Sequence, residues 1–127
     1  MSEILVDTCV WIDFFAGRPL PRLEEALQEG RVRLSPVVAA ELLSGARTGA
    51  EQKKLRAFLL ELETPEFGIG HWFEVGALRQ KLMKRGLQVS TPDAHVAQAA
   101  LDGGGSLYSF DKIFQKMAAW IPLKIIV

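Results

Sequence analysis

Short apolar runs alternating with long amphipathic segments are what most narrow the fold of this chain. Ile4, Leu5 and Val6 form a run too short for a helix and right for a buried strand; "SLYSF" and "LKIIV" repeat the pattern later. Between them the apolar spacing is helical. "PLPRLEEALQEG" carries Leu20, Leu23 and Leu27 on one stripe, with Gly30 as its stop signal. Ser35 and Pro36 make a cap-then-proline start for "PVVAAELLSGAR", a helix expected to run to about Arg47. "VRLS" before it fits a strand or a plain connection. "AEQKKLRAFLLEL" and "HWFEVGALRQKLMKRG" are amphipathic, the second ending at Gly86. Thr91 and Pro92 repeat the cap-then-proline order ahead of an alanine-rich helix, and "DKIFQKMAAW" is a short last one. Strands alternating with helices predict an α/β sandwich with a mainly parallel sheet.

At 127 residues, without a linker-like stretch or repeat, the chain is expected to be one domain over 1–127. Lys plus Arg and Asp plus Glu both number 15, so nucleic-acid binding would need a local patch. The single Cys9 cannot make an internal disulfide. Glu3 and Asp7 stand where a signal peptide would want a basic and then an apolar segment, and no apolar run reaches membrane-spanning length. A cytoplasmic chain with no membrane association is expected.

Asp7 interrupts two apolar runs, "ILV" and "CVWI", where an ionised group is costly unless paired or metal-bound. It follows the first strand, and Asp111 follows "SLYSF" in the same way; ligand sites in open parallel sheets gather at such strand ends. Glu41 shares a helical face with Val37 and Val38 and is therefore expected near the core. Asp93 opens the stripe Asp93, Val96, Ala97, Ala100. Structural roles also fit: Asp111 as an N-cap, Asp93 as a first-turn acid favoured by the helix dipole. Four acids in one crevice would need a cation, and all-oxygen ligation suits Mg²⁺ or Mn²⁺. His71, His95 and Cys9 have no zinc-ligand spacing. Such an ion activates water and offsets charge on a phosphodiester.

"ILVDTCVWIDFF", "ELLSGAR", "TPDAHVAQAA" and "LYSFDKIF", in that order across nearly the whole chain, resemble the PIN-domain ribonucleases, and within them the toxin arm of VapBC-type toxin–antitoxin pairs. The resemblance implies a three-layer α/β/α fold and a Mg²⁺- or Mn²⁺-dependent endoribonuclease. It also implies an RNA substrate and a small antitoxin that blocks the site; apart from the resemblance, a homodimer is expected. It assigns Asp7, Glu41, Asp93 and Asp111 to the acidic, metal-holding catalytic quartet, with Thr8 and Ser109 as supporting hydroxyls. His95 departs from the aliphatic residue the family often has there, and is read as a satisfied structural histidine.

Arg47 is the preferred RNA contact, with Lys81, Lys84 and Arg85 as a second basic face and Lys53, Lys54 and Arg56 as a third. Asp13 and Asp102 are read as solvated segment ends. Most of Trp11, Phe14, Phe15, Trp72 and Phe73 are expected in the core, with a subset left for dimerisation or antitoxin docking. Among rivals, a phospho-accepting receiver needs adjacent acids after its first strand, and "ILVDTC" has one. A haloacid-dehalogenase-type phosphatase needs a second aspartate where Cys9 stands, and a scaffold on this fold would lack some of the acids. A PIN nuclease in RNA processing, outside any toxin pair, is the remaining alternative.

Overall fold

Strand β1 (Ile4–Val6) is buried along its whole length and has a neighbour on each side, the environment a continuous apolar run requires in a parallel sheet. Its partners are β2 (Val32–Arg33) and β3 (Ser106–Tyr108), and β3 pairs in turn with β4 (Lys124–Ile126). The order is β2-β1-β3-β4 and every pairing is parallel, so the expected mainly parallel sheet is wholly so. The computed structural model describes residues 3–127; the first two positions of the expected 1–127 domain lie outside the described residues.

Seven helices join the strands among the described residues: α1 (Thr8–Phe15), α2 (Pro21–Gln28), α3 (Pro36–Ser44), α4 (Gly49–Leu60), α5 (Ile69–Lys84), α6 (Thr91–Asp102) and α7 (Lys112–Met117). The chain steps one way from β1 to β2, then back past β1 to β3. Right-handed crossovers in opposite directions put their helices on opposite faces. Side-chain alternation agrees: Ile4 lines a recess with Arg22 and Glu25 of α2, whereas Leu5 lines one with Ala99 and Ala100 of α6. Helix, sheet and helix thus make three layers. Helix α6 packs on β1, β3, α3 and α5. Its Ala94, His95, Val96, Ala97, Ala99 and Ala100 are all buried, and small side chains permit so close an approach.

Several local expectations need correction. Helix α3 stops at Ser44, with Gly45 as its cap, short of Arg47. The N-cap of α6 is Ser90, not Thr91; its side chain accepts the Asp93 N–H, and Thr91 and Pro92 already lie inside the helix. Glu41 is exposed, because α3 turns Val38 and Leu42 inward instead. Of the five aromatics, Trp11 is fully buried and Phe14 partly so, while Phe15, Trp72 and Phe73 are exposed. Helix α1 was not expected at all.

The turn from α6 into β3 depends on Gly105. Its N–H donates to Ala100 O at 2.7 Å and its carbonyl accepts from Lys124 N at 2.6 Å, with φ at +93°. A Cβ there would sit 3.3 Å from Pro122 O. Gly105→Ala is therefore expected to cost about 1–3 kcal/mol through backbone strain and crowding, lowering the melting temperature by several degrees. A parent-like thermal melt would contradict this account of the turn.

Candidate active site

The β1–β3 pairing continues one residue past both strands. The Asp7 N–H donates to Tyr108 O at 2.9 Å, which brings Asp7 level with Ser109. This crevice lies where the chain reverses its direction of crossover, the switch point at which open α/β sheets place ligands. Asp7 is only 8% exposed. Its Oδ1 accepts the Thr8 N–H at 2.9 Å, as N-cap of α1, and its Oδ2 accepts the Ser109 hydroxyl at 2.8 Å. Ser109 Oγ in turn accepts the Asp111 N–H at 3.1 Å. One fully buried hydroxyl thus joins the acid after β1 to the acid after β3.

The other two acids arrive on helices. Thr8 Oγ1 donates to Glu41 Oε1 at 2.8 Å, tying α3 to the start of α1. Asp93 stands in the first turn of α6, and burial raises its carboxyl above the usual carboxylate range. A Ser90 hydrogen bond opposes that rise, while repulsion from Asp111, Asp7 and Glu41 adds to it. Each of the other three charges is thus near enough to be felt at Asp93. Asp111 is exposed and caps α7 by accepting the Ile113 N–H at 3.0 Å. Its capping role and its place beside the other acids hold together. Among the described residues, no lysine or arginine forms an ion pair with any of the four.

Cys9 also belongs here. Its Sγ lies 3.6 Å from Asp7 Oδ2 and 3.7 Å from Ser109 Oγ. Burial pushes the thiol up, so at neutral pH it remains an S–H and not a soft thiolate ligand. His95 is fully buried, and burial lowers it to about 4, with repulsion from His71 adding. It bonds to Ser35 and His71, not to the carboxylates. The donors lining the crevice are therefore hard oxygens, which fit Mg²⁺ or Mn²⁺. Among the described residues no three acids, histidines or cysteines form a ready coordination cage. The acids share a field more than a formed ligand sphere.

Sequence reading missed Cys9 and the Thr8–Glu41 bond because both depend on α1. The signal was present: Val10, Trp11 and Phe14 recur at helical spacing directly after an aspartate N-cap. Asp13 pairs with Arg18 at 2.7 Å, and Asp102 accepts from Gln98 Nε2 at 3.0 Å, in keeping with segment-end roles.

Arg47 lines a groove of about 860 Å³ between α1, α3 and α4, together with Glu41 and the apolar Ile12, Phe15, Leu55 and Phe58. The groove meets the acid crevice through Glu41 alone. Lys54 of the third basic group also lines it. Lys81 and Lys84 are exposed in the last turn of α5, whereas the Arg85 guanidinium lies 4.7 Å over the Trp120 ring and is partly engaged there.

Solved structures share this fold over nearly their full lengths. A chain of VapBC2 from Rickettsia felis, bound to a DNA fragment from the promoter, matches with a TM-score of 0.78 at 22% identity, covering 97% of this chain and 96% of that one. VapBC-1 from nontypeable Haemophilus influenzae gives 0.77 at 19% identity, covering 97% and 96%. A toxin-antitoxin complex from Klebsiella pneumoniae gives 0.74 at 21% identity, covering 98% and 97%. No curated protein matches by sequence. At such identities the likeness is one of fold, but the PIN domain model itself matches residues 4–119, and the chain belongs to the PIN-domain family.

Proposed function

We propose that this chain is a Mg²⁺- or Mn²⁺-dependent endoribonuclease, acting in the cytoplasm as the toxin of a toxin–antitoxin pair, with residues 1–127 working as one domain. The observation that carries the reading is the uncompensated charge of the crevice: Asp93 feels Asp111, Asp7 and Glu41, and among the described residues no basic side chain forms an ion pair with them. In this reading Asp7, Glu41, Asp93 and Asp111 hold the ion. Ser109 fixes the Asp7 carboxylate and Thr8 the Glu41 carboxylate, so each presents its free lone pairs to the crevice. The ion, when bound, supplies Lewis-acid activation of the attacking water and offsets the charge that builds on the phosphate. Arg47, which lines the groove together with Glu41, is the preferred candidate for an RNA phosphate contact, with the exposed Lys81 and Lys84 as further ones.

An antitoxin partner is supported by the structural neighbours, which include toxin-antitoxin complexes, and by the groove between α1, α3 and α4. Apolar walls ending at a catalytic carboxylate suit a peptide that both anchors and blocks. A homodimer is supported by Ile69 and Phe73, 68% and 69% exposed and one turn apart on α5.

The purified chain is expected to cut RNA with Mg²⁺ or Mn²⁺ and to stop in chelator; cleavage that persists in chelator and survives Asp7→Asn would sink the mechanism. Expression without its partner is expected to arrest growth, and co-expression of the partner to relieve it. Cleavage in vitro with unimpaired growth would leave the nuclease and favour the RNA-processing alternative.

Asp93→Asn separates a shared metal site from a helix-start residue. An acid whose folded pKa is raised loses stability as pH rises through the unfolded and then the folded value. Neutralising Asp93 is therefore expected to raise the melting temperature in chelator at neutral pH, and the gain to fade as pH falls below the ordinary carboxylate range. At ten times its dissociation constant Mg²⁺ should stabilise the parent by about 1.4 kcal/mol and the variant by less. A variant that melts lower in chelator and responds fully to Mg²⁺ would show Asp93 serving the helix dipole alone.

A further inference from the structure

A polar chain runs through the interior from the start of α3 through α6 to α5. Ser35, the fully buried N-cap of α3, lies 2.7 Å from His95 Nε2, and His95 Nδ1 lies 2.7 Å from His71 Nε2. His71 Nδ1 is 3.6 Å from Asp102 Oδ2, beyond hydrogen-bond length but close enough to be oriented by the carboxylate. The Trp72 ring stacks on His95 at 4.8 Å and 17°, and Phe67 meets it edge-on at 5.1 Å.

The direction of the protons in this chain follows from its Ser35 end. Ser35 Oγ already accepts the Val37 and Val38 N–H groups at 3.1 and 3.4 Å, so its single O–H donates to His95 Nε2. His95 then carries its proton on Nδ1 and donates it to His71 Nε2. His71 Nδ1, without a hydrogen-bond partner among the described residues, faces Asp102 across 3.6 Å.

The link joins the two helices that carry acids. Ser35 starts α3, which bears Glu41 six residues on, or about 9 Å along the axis. His95 lies two residues past Asp93 on α6. Apolar packing between α3 and α6 is non-directional, whereas a hydrogen bond of 2.7 Å sets a distance and an angle. We propose that Ser35 and His95, with His71 behind them, are positioning residues that set the separation of Glu41 from Asp93. The inference rests on the proposed metal-site reading.

Two measurements test it. Nitrogen-15 spectra of the imidazoles are expected to show His95 protonated on Nδ1 with Nε2 bare; an Nε2-protonated His95 would overturn the chain. The second measurement is Mn²⁺ affinity by calorimetry, well below the melting temperature of every variant. Ser35→Ala is expected to weaken Mn²⁺ binding about tenfold, the low end for groups that orient metal ligands, and Ser35→Thr to restore it. His95→Leu, which leaves the α3 cap intact, should weaken it similarly and stands in if Ser35→Ala does not fold. A purely structural role would lower the melting temperature and leave Mn²⁺ affinity unchanged in the folded variants, overturning the inference alone. No Mn²⁺ binding by the parent would overturn the proposed function and the inference with it.

Discussion

Parallel pairing of β1 with β3 is the constraint on which the candidate site depends. It makes neighbours of residues 102 positions apart, and the Ser109 hydroxyl then reaches the Asp7 carboxylate. Without that register Asp111 would cap a helix and Asp7 would end a strand, with no relation between them. The two helix-borne acids are secondary attachments to the same frame, Glu41 through Thr8 and Asp93 through the packing of α6 on both strands.

A crevice built this way resists its own formation. Like charges in a partly desolvated space oppose folding, and the nearby hydrogen bonds offset only part of that. The interior provides the opposing rigidity: α6 buries Ala94 to Ala97, Ala99 and Ala100, and its buried His95 is bonded through both ring nitrogens. Charge at one end of α6 and dense packing along the rest are complementary. A looser helix would move Asp93 away from the other acids.

Much of this was legible in the residues, for identifiable reasons. Strand ends and acid positions were readable because β1 and β3 are short apolar runs that stop at a charge. The parallel sheet followed from alternation, and the N-cap of α3 from Ser35 before Pro36. Helix α1 was hidden because its apolar residues follow β1 with only Asp7 and Thr8 between, so strand and helix read as one interrupted run. Glu41 was misplaced because Val37, Val38 and Glu41 do lie near one another on the helix; spacing alone does not tell which side of a stripe faces inward. Ser90 lost its cap to Thr91 in the reading because both carry the same hydroxyl, and only the backbone distinguishes them. Side-chain bonds across the crevice were beyond any local pattern, since each joins distant segments.

The same long-range pairing dictates an order of assembly. A chain that emerges from its N-terminus can form α1, α2 and the β1–β2 pair early, since their contacts are local. Ser109, Asp111 and the strand before them arrive late, ahead only of α7 and β4, and closing so long a loop is slow. Until then Asp7 has no hydroxyl to hold it, and the carboxylates have not yet been forced together. The least favourable electrostatic step is thus postponed until most apolar surface is already buried. In a nascent chain the crevice is among the late features to form.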